Sequence, residues 1–383
     1  MKICIFSANY LPSIGGVERY TYYLAKKLIS MGHSVTVVTS DVFCLGKMEI
    51  TAEGIDLCRL PCYNIMNGRY PIYKKNADFK FIDKHIISQK YDLVIVNTRF
   101  YIHSLYGAKF AHDNNIPVIT IEHGTSHLTV NNRVLDFFGE KWEHFITERL
   151  KKYCTDYYGV SQASCEWSAH FGIKSKGVLY NAVDLSEIKE MVLNPVEKYR
   201  DRYRIPDYAK VVVFTGRLIK EKGVFQLLDA FNKLNDEDLY LFIAGDGPEK
   251  QALEKNANKN TFLLGKLDFP HVIALLSESD VFCLPSVSEG MSTSVLEAVA
   301  TKTFVITTEN GGSKELICDD EYGIITKSNT SQEVYNSLKY ALCNDVYRKS
   351  AVEKSYARLN KMFDWGKTAE KVEKICKNNG GIK

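Results

Sequence analysis

The sequence predicts an α/β protein made of two doubly wound domains. Short apolar runs such as Ile3–Phe6, Val118–Glu122 and Val281–Leu284 read as parallel strands buried on both faces. Amphipathic helical stretches alternate with these runs, which is the rhythm of βαβ units. The length, 383 residues, exceeds what one core usually organises and suits two domains of ordinary size.

Composition narrows the class. With 45% hydrophobic and 25% charged residues, the chain has the balance of a soluble globular protein. A net charge of +3 is too small to argue for a nucleic-acid partner. The charge is uneven: residues 1–180 hold 21 Lys+Arg against 16 Asp+Glu, and the rest of the chain holds 28 against 30. A mildly basic N-terminal half suits an anionic membrane surface, and so would a chance excess. The ten cysteines show no Cys-x-x-Cys pair, so neither a disulfide framework nor a zinc site is expected. No apolar run approaches the ~18 residues of a membrane span, and Met1–Phe6 is too short for a signal peptide. A cytoplasmic location is expected, with any membrane contact peripheral, at the inner face of the plasma membrane.

Taken in order, Ile3–Phe6 is a strand, and Pro12, Gly15 and Gly16 form a turn. Val17–Met31 is a helix stopped by Gly32, and Val35–Val38 is the next strand. The turn lacks the Gly-x-Gly-x-x-Gly spacing, which argues against a dinucleotide fingerprint. Adjacent glycines make either a plain tight turn or a flat loop that a ligand approaches closely. From Lys47 to Lys90 the pattern weakens. There Arg69, Lys74, Lys75, Lys80, Lys84 and Lys90 interleave with Tyr70, Tyr73, Phe79, Phe81 and Ile82, which fits a bilayer surface, a grip on a phosphorylated acceptor or a solvated helix face. Further strands follow at Leu93–Val96, Val118–Glu122, Tyr157–Val160 and Gly177–Leu179. His123 ends the second of these, where open α/β sheets bind ligands; Glu122 and His127 are nearby alternatives.

A polar linker, Asn194–Pro206, leads to a second βα series beginning with the strand Lys210–Thr215. Arg217 and Lys222 stand five residues apart in a glycine-flanked loop after that strand, which suits a diphosphate clamp or an exposed charged loop. Leu239–Pro248 is a strand and turn. After Val281–Leu284, the stretch Ser288–Ala298 turns through Glu289, Gly290, Met291, Ser292 and Thr293 into a helix containing Glu297. The free amides and dipole of that helix end suit a phosphate. Ser294-x-x-Glu297 equally fits a capping box that needs no ligand. Two helical patterns run from Ser331 to Lys361, and a last one from Trp365 to Lys377.

Glu289 and Glu297, together with Gly216-Arg217-Leu218-Ile219-Lys220-Glu221-Lys222-Gly223 and Asn181-Ala182-Val183-Asp184, resemble motifs of the retaining GT-B glycosyltransferases of family 4, also called glycosyl transferases group 1. The commonest form of the first motif is Glu-Gly-Phe-Gly-x-x-x-x-Glu; here Met291 and Ser292 replace the Phe and second Gly. The resemblance implies two Rossmann-like domains facing a cleft: residues 1–185, joined by the C-terminal helix 362–383, for the acceptor, and residues 186–361 for the nucleotide sugar. It implies that Arg217 and Lys222 hold the pyrophosphate, that Gly15 and Gly16 lie against donor and acceptor, and that His123 contacts the transferred sugar. Asn181, Glu289, Gly290, Met291, Ser292, Thr293 and Glu297 join the donor site, and His123, Glu289, Arg217 and Lys222 carry the catalysis.

The implied reaction moves a sugar, with retention, from a UDP- or GDP-sugar to a hydroxyl of a saccharide acceptor, in bacterial surface polysaccharide synthesis. A lipid-linked acceptor would suit the basic half. No Asp-x-Asp metal motif is seen beside the diphosphate clamp, so no cofactor and no metal are expected there. A sugar-nucleotide epimerase on the same fold, or a non-catalytic glycan-binding module, are the competing readings. The clamp and the paired glutamates speak against the latter, which needs neither.

Overall fold

A computed structural model describes residues 1–13, 15–66, 68–129, 132–287, 291–309 and 311–380. The chain divides into two compact units. The first comprises residues 1–181 and the helix from Trp365; the second is Ala182–Asp364.

The first unit runs β1 (Lys2–Phe6), α1 (Gly16–Ser30), β2 (Ser34–Ser40), β3 (Met48–Ile50), β4 (Asp56–Leu60), β5 (Cys62–Ile65), β6 (Tyr70–Tyr73), α2 (Ala77–Ser88), β7 (Leu93–Asn97), α3 (Ile102–Asp113), β8 (Val118–Glu122), α4 (Arg133–Leu150), β9 (Asp156–Gly159), α5 (Gln162–Ala169) and β10 (Gly177–Val178). Its main sheet has the order β10-β9-β8-β7-β1-β2-β4-β3 and is parallel except for β3, while β5 and β6 form a separate hairpin. The central strands bury almost every residue: Ile3, Cys4, Ile5 and Phe6 in β1, all of β7, and Ile119 and Ile121 in β8. Helices on both faces supply that burial, as parallel sheets require.

The second unit runs α6 (Leu185–Leu193), α7 (Tyr199–Arg202), β11 (Lys210–Thr215), a single 3₁₀ turn (Lys220–Lys222), α8 (Val224–Leu234), β12 (Leu239–Ala244), α9 (Lys250–Asn256), β13 (Thr261–Gly265), α10 (Phe269–Ser277), β14 (Val281–Leu284), α11 (Thr293–Ala300), β15 (Phe304–Thr308), α12 (Ser313–Leu316), β16 (Ile324–Thr326), α13 (Ser331–Cys343) and α14 (Asp345–Met362). Its sheet, β13-β12-β11-β14-β15-β16, is parallel throughout. The last helix, α15 (Trp365–Gly380), packs on α1 of the first unit, with the Trp365 ring 5.1 Å from Tyr20 and 5.9 Å from Tyr23.

Two segments differ from the sequence reading. Asn194–Pro206 is not a loose linker. It carries α7, buries Tyr199, and anchors Arg200 by its backbone N–H to Glu278 (2.8 Å) and its guanidinium to Asp280 (3.1 Å). A run rich in charge reads as solvated when its partners lie some 80 residues away in sequence. Arg69–Lys90 is more tightly packed than its composition suggests. Phe79 and Ile82 enter the core from α2, Tyr73 stacks on Phe79 at 5.1 Å, and of the interleaved apolar residues only Phe81 is fully on the surface. Lys75, Lys80, Lys84 and Lys90 line the solvated side.

His103, on α3, is fully buried, donates from Nε2 to the Val38 carbonyl at 2.9 Å, and is held down to about 4 by that burial. Its folded value lies below the ordinary 6.5, so the unfolded chain takes the proton first as the pH falls. The stability is therefore complete above pH 6.5 and drains away toward pH 4. Urea unfolding at pH 7 and pH 5 should show the wild type losing about 2 kcal/mol more than His103→Gln. Equal losses would mean that His103 is not the buried neutral base.

Candidate functional site

In the second unit, strand order reverses between β11 and β14, since β12 and β13 extend one way from β11 while β14, β15 and β16 extend the other. Loops leaving neighbouring strands at such a point diverge and open a crevice at the carboxyl edge. Arg217 and Lys222 lie on the loop after β11, and Met291, Ser292 and Thr293 on the segment that enters α11 after β14. Glu289 and Gly290 lie outside the described residues.

Two contacts lock these segments together. The Val287 N–H donates to the Glu221 carbonyl at 2.9 Å. Gly223, with φ +69°, lies so close to Pro285 that a Cβ there would come within 2.0 Å of its carbonyl oxygen. On the other flank, the Leu218 N–H donates to the Asp246 carbonyl at 2.9 Å, and a Cβ on Gly245 would strike the Gly216 carbonyl at 1.8 Å. The glycines in Gly216–Gly223 and Gly245–Gly247 thus let three strand-end loops nest. Arg217 stays exposed and Lys222 half-buried on that support.

The start of α11 bears on the capping role weighed for Glu297. The helix opens at Thr293 with Ser292 at its N-cap, and the Ser292 side chain makes no capping bond. Ser294 is therefore already inside the helix, and Glu297 stands in its middle, 3% exposed. The capping box expected from Ser294-x-x-Glu297 is not formed: its glutamate would need to be three residues after the cap, and Glu297 is five. Glu297 is thus a buried carboxylate inside a helix that opens at the crevice. Met291 and Ser292 are also buried, and Thr293 is half-buried.

In the first unit the reversal falls between β1 and β7. Gly15 is the N-cap of α1, in extended conformation and without a side-chain cap, and Gly16 opens the helix. A Cβ on Gly16 would meet nothing within 4 Å, whereas one on Gly15 would strike the Glu18 carboxylate. His123 follows β8 on the same edge. Its Nε2 donates to the Asn97 side-chain oxygen at 3.1 Å, its ring stands edge-on to Tyr20 at 4.8 Å, and Asn97 in turn donates to Thr21. Tyr20 and Thr21 belong to α1, so the histidine is tied to the helix that the two glycines open. Burial holds the imidazole down to about 3, well below its usual 6.5, which makes His123 a neutral hydrogen-bonding group. Asn181 is buried beyond β10, with its backbone N–H on the Val160 carbonyl at 3.2 Å.

The residues that shape this edge were invisible to motif reasoning. Arg99, 1% exposed, bonds Glu122 at 2.5 Å and Glu143 at 2.9 Å, and its guanidinium lies 3.7 Å from the Phe171 ring centre. Glu122 accepts the backbone N–H groups of His123 (3.0 Å) and Gly124 (2.9 Å), and so fixes the turn that aims the histidine. Glu122 is thus a scaffold for His123 rather than its competitor. The one sequence clue was an acidic residue closing an otherwise apolar strand, Val118–Glu122.

Comparison with known proteins agrees with this layout. Residues 195–358 match the model "Glycosyl transferases group 1", and residues 14–187 match "Glycosyltransferase Family 4". An uncharacterized glycosyltransferase of Methanocaldococcus jannaschii is 23% identical across 98% of both chains. A Campylobacter jejuni enzyme, the N-acetylgalactosamine-N,N'-diacetylbacillosaminyl-diphospho-undecaprenol 4-alpha-N-acetylgalactosaminyltransferase, is 30% identical over 55% of this chain and 53% of its own. Among solved structures, Anabaena HepE in complex with UDP superposes with a TM-score of 0.77 over 99% of this chain and all of that one, at 16% identity. The two family matches, one on each unit, and the paired Rossmann-like sheets together show that this chain belongs to the group 1, family 4 glycosyltransferases and has the GT-B fold.

Proposed function

We propose that this glycosyltransferase takes its sugar from a nucleotide diphosphate sugar, UDP- or GDP-linked, and passes it with retention to a hydroxyl of a lipid-linked saccharide. The observation that carries the donor assignment is the convergence, at the β11/β14 reversal, of two cations and the amide end of α11 on loops that nested glycines hold in place. Bond breaking leaves charge on the departing diphosphate. Arg217, Lys222 and the amides at Met291–Thr293 meet that charge with donors already oriented, so little reorganisation is needed as it develops. Glu297 and Glu289 bind hydroxyls of the donor. His123, as a neutral donor and acceptor, binds the transferred sugar, and Gly15 and Gly16 let a ligand approach the first turn of α1. The cations do the work a bridging metal would do, so no metal is assigned to the diphosphate.

The Campylobacter relative, named for a diphospho-undecaprenol acceptor and an alpha linkage, supports a lipid-linked acceptor and an α-product. A cytoplasmic site at the inner membrane face, within surface polysaccharide assembly, follows from that acceptor class. No helix among the described residues is long and apolar enough to cross a membrane, so lipid contact would be peripheral. The surface suited to it is α4, where Val134, Leu135, Phe137 and Phe138 are each more than half exposed beside Arg133 and Lys141. Apolar side chains flanked by cations are what an interfacial helix presents to an anionic bilayer.

Arg217→Ala and Lys222→Ala should each slow donor turnover by a barrier of roughly 2–4 kcal/mol with the fold intact. Glu297→Gln should weaken nucleotide-sugar binding more than it lowers the melting temperature. Near-normal rates in both cation variants would overturn the clamp. Screening UDP- and GDP-sugars for protection against melting identifies the donor.

Turnover should be insensitive to Mg²⁺ and Mn²⁺. Adding or withholding either ion is expected to change the rate by less than about two-fold, since Arg217 and Lys222 already balance the diphosphate. A strict dependence on either ion would contradict this assignment.

Sedimentation with anionic vesicles should capture the wild type at low salt. The Phe137→Ser/Phe138→Ser double variant should be captured poorly, and a variant lacking the charges of Lys74, Lys75, Lys80 and Lys84 only modestly less than wild type. No capture of the wild type, or equal capture of all three, would remove the membrane contact while leaving the transferase assignment in place.

A further inference from the structure

We propose that His127, His144 and His170 form a zinc site in the first unit that ties the loop after His123 to α4 and α5. The three histidines come from three separate elements: His127 from the β8–α4 loop, His144 from α4, and His170 from the end of α5. Their ring centres lie 5.7, 5.2 and 5.1 Å apart pairwise, and one ligand nitrogen from each falls within 4.8 Å of the others. A tetrahedral zinc ion needs its nitrogens about 3.4 Å apart, so ring rotations that move each nitrogen by about an ångström complete the site. His170 is exposed, which provides an entry path and leaves the fourth position to water.

The surroundings point the same way. His127 shares an Nδ1 bond of 3.0 Å with the Glu143 carboxylate, which leaves Nε2 for an ion; a carboxylate behind a histidine is the usual outer partner of a metal ligand. Glu143 is buried, and so are Glu122 and Arg99. One guanidinium against two carboxylates leaves this interior network one positive charge short. A divalent ion on His127 would place positive charge beside Glu143 through the His127–Glu143 bond. His170 is stacked on Trp167 at 4.9 Å and 4°. The other histidine-containing cluster, Asp56, Cys58 and His85, is a weaker candidate, because burial pushes the Cys58 thiol up to about 12 and the Asp56–His85 pair is already closed at 3.2 Å.

The competing explanation is that a proton on His127, and no metal, balances Glu143. The proposal stands independently of the donor and acceptor assignments. Full-length protein, stripped with chelator and kept in a non-thiol reductant, is titrated with Zn²⁺ alone against a competing indicator. The wild type should take up one ion per chain, and its melting temperature should rise on loading. His144→Ala and His170→Ala should each weaken uptake by at least the ~10–100-fold that loss of an outer-shell partner costs, and should lose the melting shift. His170 is exposed, so its variant folds without the metal. Co²⁺ in place of Zn²⁺ should give a spectrum of nitrogen and oxygen ligands without thiolate charge transfer. Absence of stoichiometric uptake, wild-type affinity in both variants, or a thiolate band would each overturn the site.

Discussion

Parallel pairing is the constraint on which the rest of this molecule depends. A parallel strand cannot return to its neighbour by a tight turn; the chain must cross over, here mostly through a helix that covers one face of the sheet. Every strand of the second sheet, and all but one of the first, therefore ends at the same edge of its sheet. The strand ends and loops that carry Gly15, Asn97 and His123 in one unit, and Arg217, Lys222 and Met291–Thr293 in the other, are neighbours for that reason. Chemistry gathers where the strand order reverses because only there do adjacent loops part.

The two edges solve different electrostatic problems. In the second unit the cations sit on loops whose glycines allow backbone to touch backbone, with Arg217 exposed and Lys222 half-buried. In the first unit the charges are interior. Arg99 gathers Glu122 and Glu143, and Glu122 passes its orientation to His123 through two backbone N–H groups. Breaking one arm of such a buried network would leave a charge without its partner, a cost of several kcal/mol. The position of His123 is therefore set by residues at some distance in sequence, and its neutrality by burial against Tyr20.

The α2 and α4 helices show how exposure separates two similar-looking sequences. Both mix cations with aromatic residues. On α2 the aromatic and aliphatic residues at Phe79, Ile82 and Ile86 follow helical spacing and fill the core. On α4, Val134, Leu135, Phe137 and Phe138 also share one broad helix face, but no described residue of the unit covers it and each is more than half exposed. Tertiary packing, not periodicity or composition, separates them.

The sequence by itself determined the fold class and much of the element placement. The strands Lys210–Thr215, Val118–Glu122 and Val281–Leu284 and the start of the last helix at Trp365 were all legible, because an apolar run or an amphipathic stripe is a local property of the chain. So was the motif order that places Arg217, Lys222 and Glu297, since turns and helix starts have local chemistry. Tertiary structure alone decided the true start of α11, which moves Glu297 out of a capping box, and the anchoring of Arg200, which turns an apparent linker into packed structure. It also decided the meeting of Arg99, Glu122, Glu143 and the three histidines. Those residues are drawn from β8, α4, α5 and the loops between strands, and no spacing relates them. The physical reason is that a hydrophobic period is written along the chain, whereas a buried charge is satisfied by whatever the folded sheet brings beside it.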